Sequence, residues 1–387
     1  MGFIPTIRLV EFVPPTPHPL WKLCPQMGIT DVVVKVNPDL TGLPDPWRYE
    51  TLASIVSRLK SAGLNVVGLE GDPFDMSPIK EYGVASAIRS LGVQEKQDGE
   101  SNPVLLREEA IAHYRELLES MGRLGIKLLC YNFMVGKGWS RTGVREGRGG
   151  AKATYFSLVD AKNSTPIKTD GSANASPSRK AGTLVEAPDK SELIISHDQV
   201  WANYEHFIKS VMPTAEKCGV RMSLHPDDPC LLSLGGYARI FGSVEAYDRA
   251  YAMYPSTSNA VTFCQANFKL MFTNPDNPVN PVNPVKTLSD LARHFGKRIA
   301  FIHARDVEGT KEDFTELFHD QGDVDQLALM RVYRELGLDV PLRGDHVPEM
   351  AYDRELTPEG TPGYFTLGRL FANGYLKALI KSAAEAR

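Results

Sequence analysis

The chain has 387 residues, of which 42% are apolar, 23% charged and 9% aromatic, a globular composition able to bury a large core without staples. Lys and Arg number 43 against 47 Asp and Glu, a formal charge of −4, so no basic excess exists to hold a phosphate backbone, which argues against nucleic-acid binding as the main role. No run of about 18 apolar residues occurs, so no membrane span is expected. The opening MGFIPTIRLVEFVPP lacks a charged segment followed by an apolar one and reads as mature sequence; its loose fit to a myristoylation signal is discounted. The cysteines Cys24, Cys130, Cys218, Cys230 and Cys264 are odd in number and scattered, with no CxxC, which points to reduced thiols and a cytoplasmic location.

Taken in chain order, short apolar β-rich runs recur at 7–13, 31–36, 64–70, 127–133, 221–225, 260–264, 300–303 and 340–343, each bounded by turn residues. Helical periodicity fills most of the intervals. The segments 47–62, 108–124, 197–218 and 327–336 stop at or beside Gly63, Gly125, Gly219 and Gly337, where glycine relieves the left-handed position past a helix end. This alternation predicts an α/β fold, a closed (β/α)₈ TIM barrel forming one domain over 1–387. An open doubly wound sheet is the rival, but Pro14, Pro15, Thr16 and Pro17 follow the first strand where that fold carries a glycine-rich phosphate turn.

One segment breaks the rhythm. Residues 136–195 form a long insertion after strand 4, with Gly-, Ser-, Ala- and basic-rich stretches at 143–154 and 163–182. It follows the C-terminal end of a strand, where barrel active sites sit, so a lid is one reading and a solvated excursion the other. The repeat NPDNPVNPVNPV at 274–285 reads as an extended, polyproline-like loop.

Chemistry gathers at the ends of the last four strands: His225, Cys264, His303 and Asp345, spaced 39, 39 and 42 residues apart, one βα unit each time. A strand-end histidine is usually hydrogen-bonded structure, a cysteine in an apolar strand a small core residue, and an aspartate after glycine a turn. Four metal-type donors at the same point of four successive units are hard to obtain by chance. They would converge at the barrel mouth on a divalent transition ion, Zn, Fe or Mn before Mg or Ca. His346, beside Asp345, is a natural general base. Arg343 and Arg305 have the fork geometry that grips carboxylates, although Arg305 serves equally well paired to a structural acid. Asp227 and Asp228 read as residues orienting a ligand or as loop caps. Tyr131 and Asn132 end the fourth strand, Trp139 and Arg141 open the long segment, and Tyr364 lies past the last strand as an acid or a helix cap.

CYNF at 130–133, Trp-Ser-Arg-Thr at 139–142, HPDDP at 225–229, TFC at 262–264, His303-x-Arg305, Arg343-x-Asp345-His346 and PGY at 362–364 occur in an order that resembles the mannonate dehydratase family of xylose-isomerase-like barrels. The resemblance spans roughly 7–380 and is most specific from His225 onward. It implies a hydro-lyase converting D-mannonate, or a related aldonic acid, to 2-dehydro-3-deoxy-D-gluconate in hexuronate catabolism, assisted by Mn²⁺ or by Fe²⁺, Co²⁺ or Zn²⁺. It implies metal ligation by His225, Cys264, His303 and Asp345, an acid/base pair in His346 and Tyr364, and substrate-holding roles for Arg343 and Arg141; the neighbouring Tyr131, Asn132, Trp139 and Arg305 join the expected substrate site. The second-strand segment departs from the family: Val36, Asn37 and Pro38 stand where a His-His-Ile-Pro pattern is expected, and Glu70, Gly71, Asp72 and Pro73 replace Glu-Ser-Val-Pro. A metal-dependent sugar isomerase or epimerase, a dehydratase of another sugar acid and a metal-binding protein without turnover remain open. A homo-oligomer is compatible with the outer helices, but no interface is legible.

Overall fold

The computed structural model describes residues 7–84, 103–136, 138–163, 193–273, 283–358 and 360–385. Eight parallel staves form the centre: β1 (Arg8–Leu9 continued by Glu11–Val13), β2 (Asp31–Val34), β3 (Asn65–Glu70), β4 (Leu128–Tyr131), β5 (Arg221–Leu224), β6 (Asn259–Cys264), β7 (Ile299–Ala304) and β8 (Pro341–Gly344). The two pieces of β1 close the ring. Arg8 and Leu9 register with Pro341 and Leu342 of β8, while Glu11, Phe12 and Val13 register with Val32, Val33 and Val34 of β2. The fold is the (β/α)₈ barrel read from the sequence.

Each stave leads to a helix: α1 (Leu20–Gln26), α2 (Tyr49–Ser61), α3 (Pro103–Leu124), α4 (His197–Cys218), α5 (Val244–Met253), α6 (Pro284–Phe295), α7 (Gln326–Glu335) and α8 (Thr366–Glu385). Local chemistry sets their ends. Side-chain oxygens of Ser196, Ser243, Asn283 and Asp325 accept N–H groups of the first turns of α4, α5, α6 and α7. At the far end of α4, Gly219 takes φ +62° and returns its N–H to the last carbonyls.

Alternation along the staves divides the apolar residues into two layers. Val10, Val33, Leu128, Cys130, Ala260 and Phe301 fill the barrel interior. Val32, Val34, Leu129, Tyr131, Met222, Leu224, Phe263, Ile302 and Leu342 point outward into the larger core beneath the helices.

The segment after β4, open to reading as a lid or a solvated excursion, begins with regular strands. Gly143–Glu146 and Lys152–Ser157 form a hairpin, and Lys152–Ser157 pairs with a second hairpin, Val307–Thr310 and Asp313–Glu316, grown after β7. The result is a four-stranded antiparallel cap over the C-terminal mouth. Glycines make the tight turn: Gly149 and Gly150 carry φ of +64° and +81°. Phe156 and Phe314 bury the underside of the cap with Cys230, Leu234, Ala266 and Leu270. Residues 164–192 of the expected insertion, and 274–282 of the Pro/Asn repeat, lie outside the described residues. The end of that repeat is not extended: Asn283 caps α6, with Pro284 in its first turn.

Candidate metal centre and active site

His225 directly follows β5, Cys264 ends β6, His303 lies near the end of β7 and Asp345 directly follows β8. Parallel register lines them up: Cys264 is opposite His303, and His303 opposite Arg343. Donor atoms of His225, Cys264, His303 and Asp345 all lie within 4.8 Å of one another. The sequence-derived quartet of donors therefore meets at one point.

The environment of each donor suits a cation. The ring Nδ1 of His225 is 2.7 Å from the Pro226 carbonyl, which assigns the proton to Nδ1 and the lone pair to Nε2. Burial, helped by neighbouring His303, pulls the His225 pKa down to about 4, so the ring is neutral. Burial opposes ionisation of Asp345, but Arg343, His346 and His303 outweigh it and hold the carboxyl well below its usual range. Burial pushes the Cys264 thiol up to about 12, against the pull of Arg305. His303 is 1% exposed, and neither ring nitrogen has a hydrogen-bond partner. Two orphaned nitrogens in the interior cost free energy unless something fills the space beside them. The donor set and these unsatisfied atoms fit a divalent metal.

His346 stands beside this cluster in a left-handed backbone conformation, φ +48°, uncommon for a residue with a side chain. The Trp139 indole stacks on its ring, 4.7 Å between centroids and 18° from parallel. Tyr364 completes the group: its hydroxyl donates to Asp345 Oδ1 at 3.1 Å and lies 3.4 Å from His346 Nε2. Burial drives the His346 pKa well below 6.5, with Arg305 and Arg141 adding to the fall against the pull of Asp345. Burial and the Asp345 charge drive the Tyr364 pKa well above 10. At neutral pH the pair consists of a neutral imidazole and a protonated phenol.

Behind His346 lies a buried lattice of charge. Arg141 donates to both oxygens of Asp228 at 2.9 Å and to Glu316 Oε1 at 2.6 Å. Arg305 donates to Asp228 Oδ2 at 2.9 Å and to both oxygens of Glu316 at 2.7 and 2.8 Å. No member is more than 1% exposed. Burial works against the Asp228 carboxylate, but the two guanidinium groups hold it below the usual carboxylate range. These contacts engage both arginines in tying the cap to the barrel, so neither presents a free fork to a ligand. Arg343 is likewise engaged, by Glu70 at 2.5 and 3.0 Å and by Asp345 at 2.8 Å.

Of the other expected site residues, Asn132 accepts from Lys80 Nζ at 3.0 Å, and Lys80 pairs with Asp72 at 2.7 Å, a polar cluster beyond the ends of β3 and β4. Tyr131 does not join the mouth. It faces outward from β4, its hydroxyl 3.2 Å from that of Tyr204 and its ring against Phe207 of α4. Strand alternation is the reason: Cys130 points into the barrel, so Tyr131 cannot. Sequence reading missed Glu70, Glu316 and Lys80 as members of the site. Glu70 ends a stave, as the metal-type donors do, and was findable by the same rule. Glu316 lies in a hairpin that no local pattern announced.

The D-mannonate dehydratase (UxuA) family model matches residues 77–387 of this chain. The chain belongs to the mannonate dehydratase family. Family membership makes it an enzyme, a hydro-lyase of the sugar-acid dehydratase class. Among relatives, the mannonate dehydratase of Streptococcus equi subsp. zooepidemicus is 27% identical over 347 residues, 88% of this chain and 85% of that protein. The mannonate dehydratase of Streptococcus agalactiae serotype Ia is 29% identical over 346 residues, 87% and 88% of the two chains. The crystal structure of mannonate dehydratase from Streptococcus suis serotype 2 superimposes with a TM-score of 0.72 at 24% identity, covering 98% of this chain and 94% of that one, which supports the barrel fold. No helix among the described residues of this family member is long and apolar enough to cross a membrane.

Proposed function

We propose that the protein removes water from D-mannonate, or a closely related aldonic acid, to give 2-dehydro-3-deoxy-D-gluconate, and that it does so with a divalent metal held by His225, Cys264, His303 and Asp345. The observation that carries the mechanism is the meeting of His346 Nε2 and the Tyr364 hydroxyl, 3.4 Å apart, beside those four donors. Mn²⁺ suits the mixed N, S and O set, with Fe²⁺, Co²⁺ and Zn²⁺ as alternatives. When bound, such an ion supplies Lewis acidity that stabilises negative charge building on the substrate carboxylate.

The residues divide the remaining work. The C2–H bond breaks, its electrons form the C2=C3 double bond, and the C3 hydroxyl departs as water once protonated; the enol then relaxes to the 2-keto acid. Neutral His346 is the member of the pair able to accept the C2 proton, and Tyr364 the member able to donate to the leaving hydroxyl. Each such group is worth on the order of 10²–10⁴ in rate. Trp139 fixes the plane of the base by stacking. The Arg343 guanidinium places positive charge where the substrate carboxylate enters, while burial, aided by Arg305 and Arg141 behind it, keeps the imidazole neutral. Asn132, its oxygen held by Lys80, offers its amide N–H groups to the far hydroxyls. The cap strands over the mouth help to exclude water from the site. All five cysteines are free thiols, four of them buried, which supports a reducing, cytoplasmic setting.

The test is direct. Mn²⁺-loaded protein incubated with D-mannonate is expected to yield a 2-keto-3-deoxy acid. His346→Gln should abolish both product and exchange of the C2 proton with solvent deuterium, with metal retained. Tyr364→Phe should abolish product yet keep some exchange. Isomerisation or epimerisation of sugars without any keto-deoxy acid would overturn the reading.

A further inference from the structure

We propose that Glu70 is a positioning residue for the metal site: it accepts the Nε2–H of His303 and thereby commits His303 Nδ1 to the metal, while the same carboxylate anchors Arg343. The inference rests on the metal-binding reading of the four donors given above.

An imidazole that ligates a metal through one nitrogen carries a proton on the other, and inside a protein that N–H needs an acceptor. His225 has its acceptor in the Pro226 carbonyl. His303 has none made, and its two nitrogens face different neighbours. Nδ1 is 3.5 Å from Asp345 Oδ2, one of the other three donors. Nε2 is 3.5 Å from Glu70 Oε1, a few tenths of an ångström beyond a normal N–H···O bond. Glu70 is in turn fixed: Arg343 donates to its Oε2 through Nε at 3.0 Å and to its Oε1 through Nη2 at 2.5 Å. The chain Arg343–Glu70–His303 therefore ties the arginine at the substrate carboxylate to a metal donor.

Glu70, Cys130 and His303 also lie within ligand distance of one another, which raises a second cation as the rival account. The Arg343 guanidinium already occupies both Glu70 oxygens, and its charge opposes another cation there. Orientation of His303 is the role that the geometry leaves to Glu70.

The experiment uses zinc, which is diamagnetic, and two variants, Glu70→Gln and Glu70→Ala, with the full chain in each case. Zinc affinity is read by competition with a chelating dye, and the His303 tautomer by ¹⁵N-histidine NMR of the zinc-loaded protein, assigned by the signal lost in His303→Asn. Expected are a proton on Nε2 of His303 in the parent, a fall in affinity of about 10–100-fold in Glu70→Ala, and a smaller fall in Glu70→Gln, which keeps an acceptor oxygen. Affinities within twofold of the parent, or a proton on Nδ1, would overturn the proposal. Neither readout depends on which sugar acid is dehydrated. A protein that binds zinc as expected but leaves D-mannonate untouched discards the substrate and keeps Glu70; one that binds no zinc discards the metal site and this role together.

Discussion

The chemistry is carried by single atoms whose surroundings set their protonation. Burial holds the Cys264 thiol neutral, pushed up to about 12, in the metal-free protein. Metal binding at pH 7 should therefore release close to one proton from this group, read by calorimetry in buffers of different ionisation heat, and the release should shrink in Cys264→Ser together with more than about a tenfold loss of affinity. A Cβ at Gly363, whose φ is +89°, would stand 3.0 Å from His346 Nδ1. Gly363→Ala should strain that turn and displace the base, lowering kcat on the order of tenfold to a hundredfold while metal content stays unchanged. The ligand residues were legible because each is the last polar residue of a local apolar run. The outward turn of Tyr131 was not read: alternation puts Cys130 and Tyr131 on opposite faces, but only the structure shows that Cys130 takes the inner one.

At the scale of elements, the decisive feature is the docking of the cap on the barrel mouth. Arg141 leads into the first cap hairpin and Glu316 ends the second, Asp228 and Arg305 lie in loops after β5 and β7, and their charges cancel only when all four are assembled. Removing one acid leaves a buried guanidinium uncompensated. Glu316→Gln should cost about 3–5 kcal/mol in urea unfolding of the metal-free protein. The double variant Arg141→Met with Glu316→Gln removes one charge of each sign, so its cost should fall clearly below the sum of the single changes; additive costs would contradict a coupled lattice. None of this pairing was visible locally. The glycines at 147, 149 and 150 mark a turn, but the strand that completes the sheet lies more than 150 residues downstream.

For the whole molecule, the buried histidines set the pH response of stability. His18 and His225 titrate near 4 in the folded chain, against 6.5 for the ordinary side chain, through burial aided by Arg369 and His303 respectively. The unfolded chain then binds more protons between pH 6.5 and 4, so stability is full above that window and lost as pH falls through it. The slope approaches about 1.4 kcal/mol per pH unit for His225 and is smaller for half-buried His18, whose exposed part is screened by solvent. Thermal midpoints of the metal-free protein should fall across this range, less steeply in His225→Asn; a flat profile would contradict the burial of these rings in neutral form. Periodicity, turn residues and the 39–42-residue spacing of donors belong to the one-dimensional pattern. By themselves they determined a barrel of eight βα units with His225, Cys264, His303 and Asp345 at its mouth, because each unit repeats one local geometry and closure brings equivalent positions together. Tertiary structure alone decided that the segment after β4 begins as a cap hairpin, that Arg141 and Arg305 spend their charge on Asp228 and Glu316, and that Glu70 stands between Arg343 and His303. Those outcomes depend on which distant charges share one dry space, and that is settled by packing, where an unpaired buried charge is too costly to persist.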